Sequence, residues 1–543
     1  YETSKNNNNI SSHLKRAGVK GGNASPSSAY VTFIIEVDID NTKNINLLEP
    51  DTRQLPIVHK GTILESGDIK FILSEDVDFS QNPEKYVSES DDNGLPVKLF
   101  LEKKGVCTSG TISEETVSFS VDDIDVFLSY TLSNNNVHKI IRIADDFGNE
   151  YYEVDFLSQD TVYLNVENSK YTQLYPTVAP FRFISEKNYQ TNTTTLRFGN
   201  GSGKKLNDNI LTNPEDFLLP LKHRDYNSNV MLDPNMLIKS NSLGVSPAGS
   251  SLTITYIHGG GKNHNVDAES IDTIKSSILT FPNISDDDND IANIADDITD
   301  TLDVINEKPA VGGSNSLTLN DLKSHIPNMI NSQSRIVNEK DLFSRIYTMP
   351  TDYGRVNKIA VLENEYTNLS KDLFVVCLDN ENKYIHANDA LKVNLKNYIN
   401  QFRLLGDSFN ILDAPIYNFG IDLTIGVKIN YSVEDVLDRT LSNIDQTLNF
   451  EALQINEAIN INDIINVVLN TDGVANIITL PKNIIFCKNF EDDFVDEVDD
   501  ETFTYSRNTF SPLTQFENGF IFPIRGGIFE LKYPELDITV RNG

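Results

Sequence analysis

The sequence contains no tryptophan, three cysteines and four methionines, and its 45 Lys+Arg are far outnumbered by 79 Asp+Glu. Each shortage excludes something. Cys107, Cys377 and Cys487 are an odd, scattered set that fits neither a disulfide framework nor a zinc-ligand spacing, and it points to assembly in a reducing compartment. Cys377 lies inside the apolar run Leu373–Leu378 and is expected as a buried small hydrophobe. A formal charge of -34 with no dense basic run argues against nucleic acid or an anionic membrane as a partner, because neutralising phosphate needs clustered cations. No apolar run approaches the roughly 20 residues of a membrane helix, and no secretory leader is recognisable. The chain opens on Tyr1, not Met, so the natural protein is read as beginning earlier.

What is present is enough for several cores. At 543 residues, 39% hydrophobic and 23% charged, the chain is expected to fold as an α+β multidomain protein. Its N-terminal half should be β-rich, its C-terminal half a mixed α/β sandwich, and its end a small β domain. Residues 1–28 are polar, and Ile10, Leu14 and Ala17 make one narrow helical stripe ended by Gly18, Gly21 and Gly22. So thin a stripe does not stand alone in water, so it is read as a seam for a bundle, packing on a partner chain or on an earlier part of this one.

Period-two patterns then predict a β domain over 29–120, with Val31–Val37 as its clearest strand. A second β domain is expected over 121–284. There Leu252, Ile254 and Tyr256 alternate with Thr253, Thr255 and Ile257 as a half-buried strand should. Residues 285–354 read as an acidic linker, a hinge and a helical region. Leu319, Leu322, Ile326, Met329 and Ile330 form an amphipathic face, and Asn338 stands three residues before Asp341 as a helix cap. Strands and helices mix closely over 355–482, as in an α/β sandwich, and 483–543 reads as a C-terminal β segment with an acidic insert from Glu491 to Glu501.

Motifs that could carry chemistry fail on spacing. Gly199-Asn200-Gly201-Ser202-Gly203-Lys204-Lys205 suggests a phosphate loop, but Phe198 stands five before Gly203, Lys205 replaces the required Ser or Thr, and no helical pattern comes after it. A glycine-permitted tight turn is the better reading. His258 and His264 flank Gly259–Gly261 with no further ligand to complete a metal set. Asp286, Asp288 and Asp290 resemble the start of a calcium loop, yet Ile291 and Asp297 occupy the positions that need Gly and Glu. There is no nucleophile elbow, and the eight histidines are scattered. No catalytic residue, metal ligand or cofactor site is assigned, and an enzyme is not expected.

The two glycine clusters and the segments C-terminal to them resemble the baseplate J-like family of contractile-tailed bacteriophages. The series is Phe198-Gly199-Asn200-Gly201, the strand Thr253–Tyr256, Gly259-Gly260-Gly261 with Asn265-Val266, then Asn306-Glu307-Lys308-Pro309-Ala310-Val311-Gly312-Gly313, then Asp341-Leu342-Phe343 opening a helix, and a strand from Val356 to Val361. Pro26-Ser27-Ser28-Ala29 before the first strand is similar to the wedge members found in T4-like myophages. Two departures stand out: Asn200 where Asp is commoner, and a long insert, Asn213 to Pro247, between the glycine clusters.

The resemblance implies a structural subunit of the virion, located in the tail baseplate and assembled in the host cytoplasm. It implies two copies per wedge, pairing with other wedge proteins through an N-terminal bundle. It further implies a ring around the hub, contacts with hub and sheath-initiating proteins, and rearrangement when the sheath contracts. Pro309, Gly312 and Gly313 are the candidate hinge. Alternatives are a receptor-binding or glycan-degrading tail protein, which should show repeated strand units that this chain lacks, and the equivalent baseplate protein of a bacterial contractile injection system.

Overall fold

In the computed structural model, residues 13–14, 23–40, 48–90, 96–120, 127–165, 174–188, 191–201, 243–283, 291–318, 335–364, 370–495 and 502–543 are described, with single positions between 320 and 330. The chain divides into two compact units, one built from 1–308, 313–331 and 348–354, the other from 309–312, 332–347 and 355–543. The protein is β-rich α+β and multidomain.

The first unit holds two large sheets. In one, the strand Ser28–Asp38 lies along Pro96–Ser109 in an uninterrupted antiparallel register from Ser28↔Thr108 to Asp38↔Lys98. Its alternate residues Val31, Phe33, Ile35 and Val37 are buried, as the period-two pattern requires. Ile63–Ser66, Ile69–Leu73 and Glu84–Ser90 extend this sheet. So do two later strands, Thr273–Ser276 and Asp303–Ile305, the latter pairing Val304 with Phe33. Residues from three of the expected domains therefore build one sheet.

The acidic stretch also differs from expectation. Asp286, Asp288 and Asp290 lie outside the described residues, but Ile291–Thr301, read as linker, is a helix. Its Ile298 is 2% exposed and the helix packs on the Ser28–Asp38 strand, while Asp296 and Asp297 face out. Isoleucines at helical spacing outweigh the acids between them.

The second sheet runs, in spatial order, Thr111–Ser118, Ser251–His258, Val137–Asp145, Glu150–Glu153, Arg182–Asn188, Thr193–Phe198 and Ser129–Thr131. Leu252, Ile254 and Tyr256 are fully buried on one face, with Ile143, Leu196 and Phe198. The Tyr256 hydroxyl escapes this apolar layer by donating to Glu115. A separate hairpin, Thr161–Asn165 with Leu174–Val178, covers a small satellite core.

The second unit is organised on the strand Ile416–Val427. Ile421 pairs with Ile485 and with Ile538, and Ile425 with Ile477 and Asn542, so this strand is enclosed on both edges. Ile528–Glu530 and Ile538–Asn542 join it in parallel. The expected small C-terminal β domain is thus not separate: the tail completes the sheet of its own unit. Helices Val433–Thr447 and Ile461–Leu469 bury Val436, Ile444, Ile461, Ile464 and Val468 against that sheet's core. A further sheet joins Lys358–Glu363, Ser370–Leu378 and Ser408–Asp413. The helix Asp389–Asn400 contacts Ser408–Asp413, its Asn388 side chain accepting from the Leu391 N–H at 2.9 Å.

Of the expected helical face near 320–330, Leu319, Leu322 and Ile326 lie outside the described residues, while Met329 is buried and Ile330 half exposed. The cap signal at Asn338 is real. Its side chain accepts from the Asp341 N–H at 2.8 Å, and the Asp341 carboxylate accepts in return from the Asn338 N–H at 3.3 Å, a reciprocal box that opens the helix Glu339–Tyr347. The cysteines are all unpaired, and Cys107 and Cys377 are buried, which pushes both thiols up to about 12.

Candidate functional site

The sequence elements singled out by their glycines fall at two places in the first unit. Phe198 ends its strand fully buried, its ring edge-on to Tyr151 at 5.6 Å between centroids. The chain then turns through Gly199 and Asn200 to Gly201. A Cβ on Gly199 would stand 2.2 Å from the Gly244 carbonyl oxygen, so only glycine fits. The Gly201 N–H donates to the Gly244 oxygen at 2.9 Å, and the Ser246 N–H donates back to Gly201 at 2.8 Å. The chain thus leaves at Gly201 and returns beside it at Gly244. Ser202, Gly203, Lys204, Lys205 and most of the insert between the glycine clusters lie outside the described residues. Gly244 in turn leans on Arg182, a fully buried side chain that donates to the Leu157 and Ala179 carbonyls at 2.7 and 2.8 Å. The Gly201 N–H is already spent on the Gly244 carbonyl and so is not free for a phosphate.

The second place joins three stretches that are far apart in sequence. Gly259, Gly260 and Gly261 all have positive φ, 116°, 103° and 119°, which L side chains rarely adopt. They let the loop pass against the lead into the first strand. The Gly261 N–H donates to the Ser25 carbonyl at 3.0 Å, and a Cβ on Gly260 would sit 2.8 Å from that same oxygen. Ser25 also forms a two-way backbone bridge with Ser314, at 2.9 and 3.3 Å, with their hydroxyls 3.0 Å apart. Ser27 donates from its hydroxyl to the His264 carbonyl.

Asn265 closes the arrangement. Its buried amide accepts from the Gly313 N–H at 2.8 Å and donates to the Gly313 carbonyl at 3.0 Å, satisfying both backbone groups of one residue as a neighbouring strand would. Gly313 has no room for a side chain, because a Cβ would lie 2.6 Å from the Gly261 oxygen. Asn306, fully buried, works in the same way one turn away. Its oxygen accepts from the Ile271 N–H at 2.8 Å and its nitrogen donates to the Asp267 and Lys308 carbonyls at 2.8 and 3.0 Å. The two asparagines therefore serve as backbone surrogates in places where loops must be packed without a regular ladder.

In the second unit Ala310 and Val311 are buried, Gly312 has a φ of 96°, and its carbonyl accepts from the Arg355 N–H at 2.9 Å. The boundary between the units falls between Gly312 and Gly313. Of the bundle-seam residues, Leu14 is fully buried, while Ile10 and Ala17, with Gly18, Gly21 and Gly22, lie outside the described residues.

Three histidines line the approach to this loop. The His258 ring is 2.9 Å from the Ser113 hydroxyl. Burial lowers the pKa of both His258 and His264. His138 is the most buried, and desolvation, reinforced by Lys187, Lys139, His258 and His264, pushes it down to about 3 despite Asp352 at 3.9 Å. These rings are held neutral. Among the described residues no three His, Cys, Asp or Glu side chains are grouped to hold a metal ion. The sequence pointed to the glycines and to Asn265 and Asn306. It did not point to Ser25, Ser314, Gly244 or Arg182, whose importance arises only from what the fold brings against them.

No protein-family model matches this chain, and no curated protein matches it. Among solved structures, a chain from the cryo-EM structure of the anti-feeding prophage baseplate, 6-fold symmetrised, is similar over 70% of this chain and 72% of that one, at 9% identity and a TM-score of 0.23. So low a score carries no weight for fold or function.

Proposed function

We propose that the chain is a structural subunit of the baseplate of a contractile phage tail, a wedge component that joins other wedge proteins and a second copy of itself around the hub. The observation that carries this reading is the convergence of the resemblance's separate pieces. The Gly261 N–H bonds to Ser25, Ser25 bridges to Ser314, and Asn265 holds Gly313, so stretches about fifty residues apart in sequence meet, while Asn306 ties Asp267 and Ile271 to Lys308. The residues that resemble the baseplate J-like family are thus the ones this fold needs, which supports a shared framework. They build a scaffold, and neither catalysis nor a cofactor is part of this reading.

Two finer elements belong to the same proposal. The stripe Ile10, Leu14 and Ala17 contributes to a bundle with partner chains. The stretch Pro309–Gly312 is the hinge at which the chain reorients on sheath contraction. Gly313 is then the fixed side of that hinge, since Asn265 holds both of its backbone groups. Gly312→Val should impair wedge assembly or contraction while leaving the first unit folded. Normal assembly and contraction by that variant would remove the hinge from the proposal.

A further inference from the structure

Histidines from different elements meet at the contact that seats the lead into the first strand. His138 stands second in Val137–Asp145, His258 ends Ser251–His258, and His264 ends the turn Lys262–His264. The contact itself is glycine on glycine: a Cβ on Gly259 would stand 3.6 Å from the Gly110 Cα. Rings brace it from both sides. A Cβ on Gly110 would lie 2.9 Å from His138 Nε2, and one on Gly259 would lie 3.3 Å from His264 Cε1. The Gly259 N–H donates to the Asn136 carbonyl at 3.2 Å, which ties the loop to the start of the His138 strand. The neighbours of these two glycines hold the lead. The Ser109 N–H donates to the Ser27 carbonyl at 2.8 Å, and the Ser27 N–H donates to the Ser109 hydroxyl at 2.9 Å. On the other side, the Gly261 N–H donates to Ser25 and the Ser27 hydroxyl donates to the His264 carbonyl. Water can reach His138 Nε2 from this side only if Gly110 and Gly259 part, and parting them pulls Ser109 away from Gly261 and breaks the seat of Ser25 and Ser27.

His138 is badly placed to carry a proton in this arrangement. Its side chain is 4% exposed, and its Nε2, like His264 Nδ1, has no hydrogen-bond partner among the described residues. A proton on Nε2 would point at Gly110, which offers it no acceptor. The charges around the ring also oppose one: Lys139 on its own strand, Lys187 from Arg182–Asn188, and His258 and His264 across the contact. Asp352, from the turn Thr351–Tyr353, lies 3.9 Å from Nδ1, beyond hydrogen-bond reach, is half exposed, and itself faces Lys187, Lys139 and Glu153. Beside His258, Glu115 favours a proton and Lys70 opposes it. We infer that these histidines form a pH-sensitive latch, in which protonation of His138 parts Gly110 from Gly259 and frees the Ser25–Ser27 lead from the loop Gly259–Gly261. In the open form the hydrated ring takes its proton near the ordinary value of about 6.5. In the closed form burial keeps it neutral down to about 3. The latch is therefore shut above pH ~6.5 and loosens as the pH falls, so that at about pH 5 the ratio of open to closed form should be about thirtyfold higher. The inference stands on the first unit alone and does not need the baseplate reading.

The test is hydrogen exchange on the full chain, resolved by segment and expressed as protection relative to the unstructured rate, at about pH 7.5 and about pH 5. Protection of the Ser109 and Gly261 amides, which donate to Ser27 and Ser25, should fall about thirtyfold between the two. The strand Ile416–Val427, in the second unit, should change less than about twofold. In a His138→Gln variant, which cannot take up the proton, the fall at Ser109 and Gly261 should shrink to less than about threefold. Should that variant misfold, the imidazole resonances of His138 in the parent chain decide: at about pH 5 the closed form should still show a neutral ring. Any of four results would overturn the inference: unchanged protection at Ser109 and Gly261 in the parent, an equal loss along Ile416–Val427, the full loss retained by a folded His138→Gln chain, or a His138 ring that titrates near its ordinary value while the lead stays protected.

Discussion

Gly260 and Gly313 sit where a single methyl group has nowhere to go, and Asn265 is the side chain that makes the second of these positions stable. Gly260→Ala would combine a left-handed backbone with a contact to the Ser25 oxygen, and we expect a loss of about 2 kcal/mol or more. Asn265→Ala strands a buried N–H and a buried carbonyl and should cost about 2–4 kcal/mol. Denaturant unfolding monitored by circular dichroism measures both. A loss under about half a kcal/mol would mean the loop repacks around the change.

His138 makes a pH prediction at the same scale. Its folded pKa, about 3, lies below the ordinary value, so between that value and about 6.5 the unfolded chain binds the extra proton. Stability contributed by keeping this ring neutral is therefore fully present above pH ~6.5 and is lost as the pH falls toward 3. A His138→Gln variant should show a flatter dependence of melting temperature on pH between about 6.5 and 4 than the parent chain; equal slopes would show that His138 does not control it.

At the scale of elements, local signals were legible and long-range pairings were not. The alternation of Leu252, Ile254 and Tyr256 fixes a buried face without reference to anything else. The spacing of Asn338 and Asp341 fixes a helix start, and Asn338→Ala should cost about 1 kcal/mol in thermal or denaturant unfolding. The helix Ile461–Leu469 buries Ile461, Ile464 and Val468, residues whose spacing in the sequence already marks one helical face. By contrast, nothing in the composition of Ile538–Val540 says that it pairs in parallel with Ile421–Leu423, more than a hundred residues earlier. Nor does Asp303–Ile305 announce that it edges the first strand of the chain. Short strands whose partners are remote carry no pattern of their own, because register is set by the surface they meet. The acids hid the helix Ile291–Thr301 in the same way: local polarity suggested a linker, and the core contact of Ile298 decided otherwise.

The candidate site shows the same division. The glycines, Asn265 and Asn306 could be named from their order in the sequence, since unusual backbone needs unusual residues. Ser25 and Ser314 could not, because a serine contributing mainly backbone bonds looks like any other. The tail strands sharpen this at the level of stability. Phe529 is fully buried on the sheet built around Ile416–Val427, so Phe529→Ala should cost about 3–5 kcal/mol, and the loss should fall on the second unit. Hydrogen exchange resolved by segment would place it; equal deprotection of the first unit would contradict the assignment of the tail to its own unit.

For the whole molecule, the two units each have their own buried core, and the proposed role is assembly. An acidic chain with a formal charge of -34 is suited to staying dispersed until it meets complementary surfaces. The measurement that bears most directly on this is the association state of the full chain, alone and mixed with the structural proteins encoded beside it, by sedimentation velocity and electron microscopy. Complexes with two or more copies of this chain and interfaces above ~2,000 Å² are the expected result. A chain that stays monomeric at the highest attainable concentration and binds none of those proteins would contradict the assembly role.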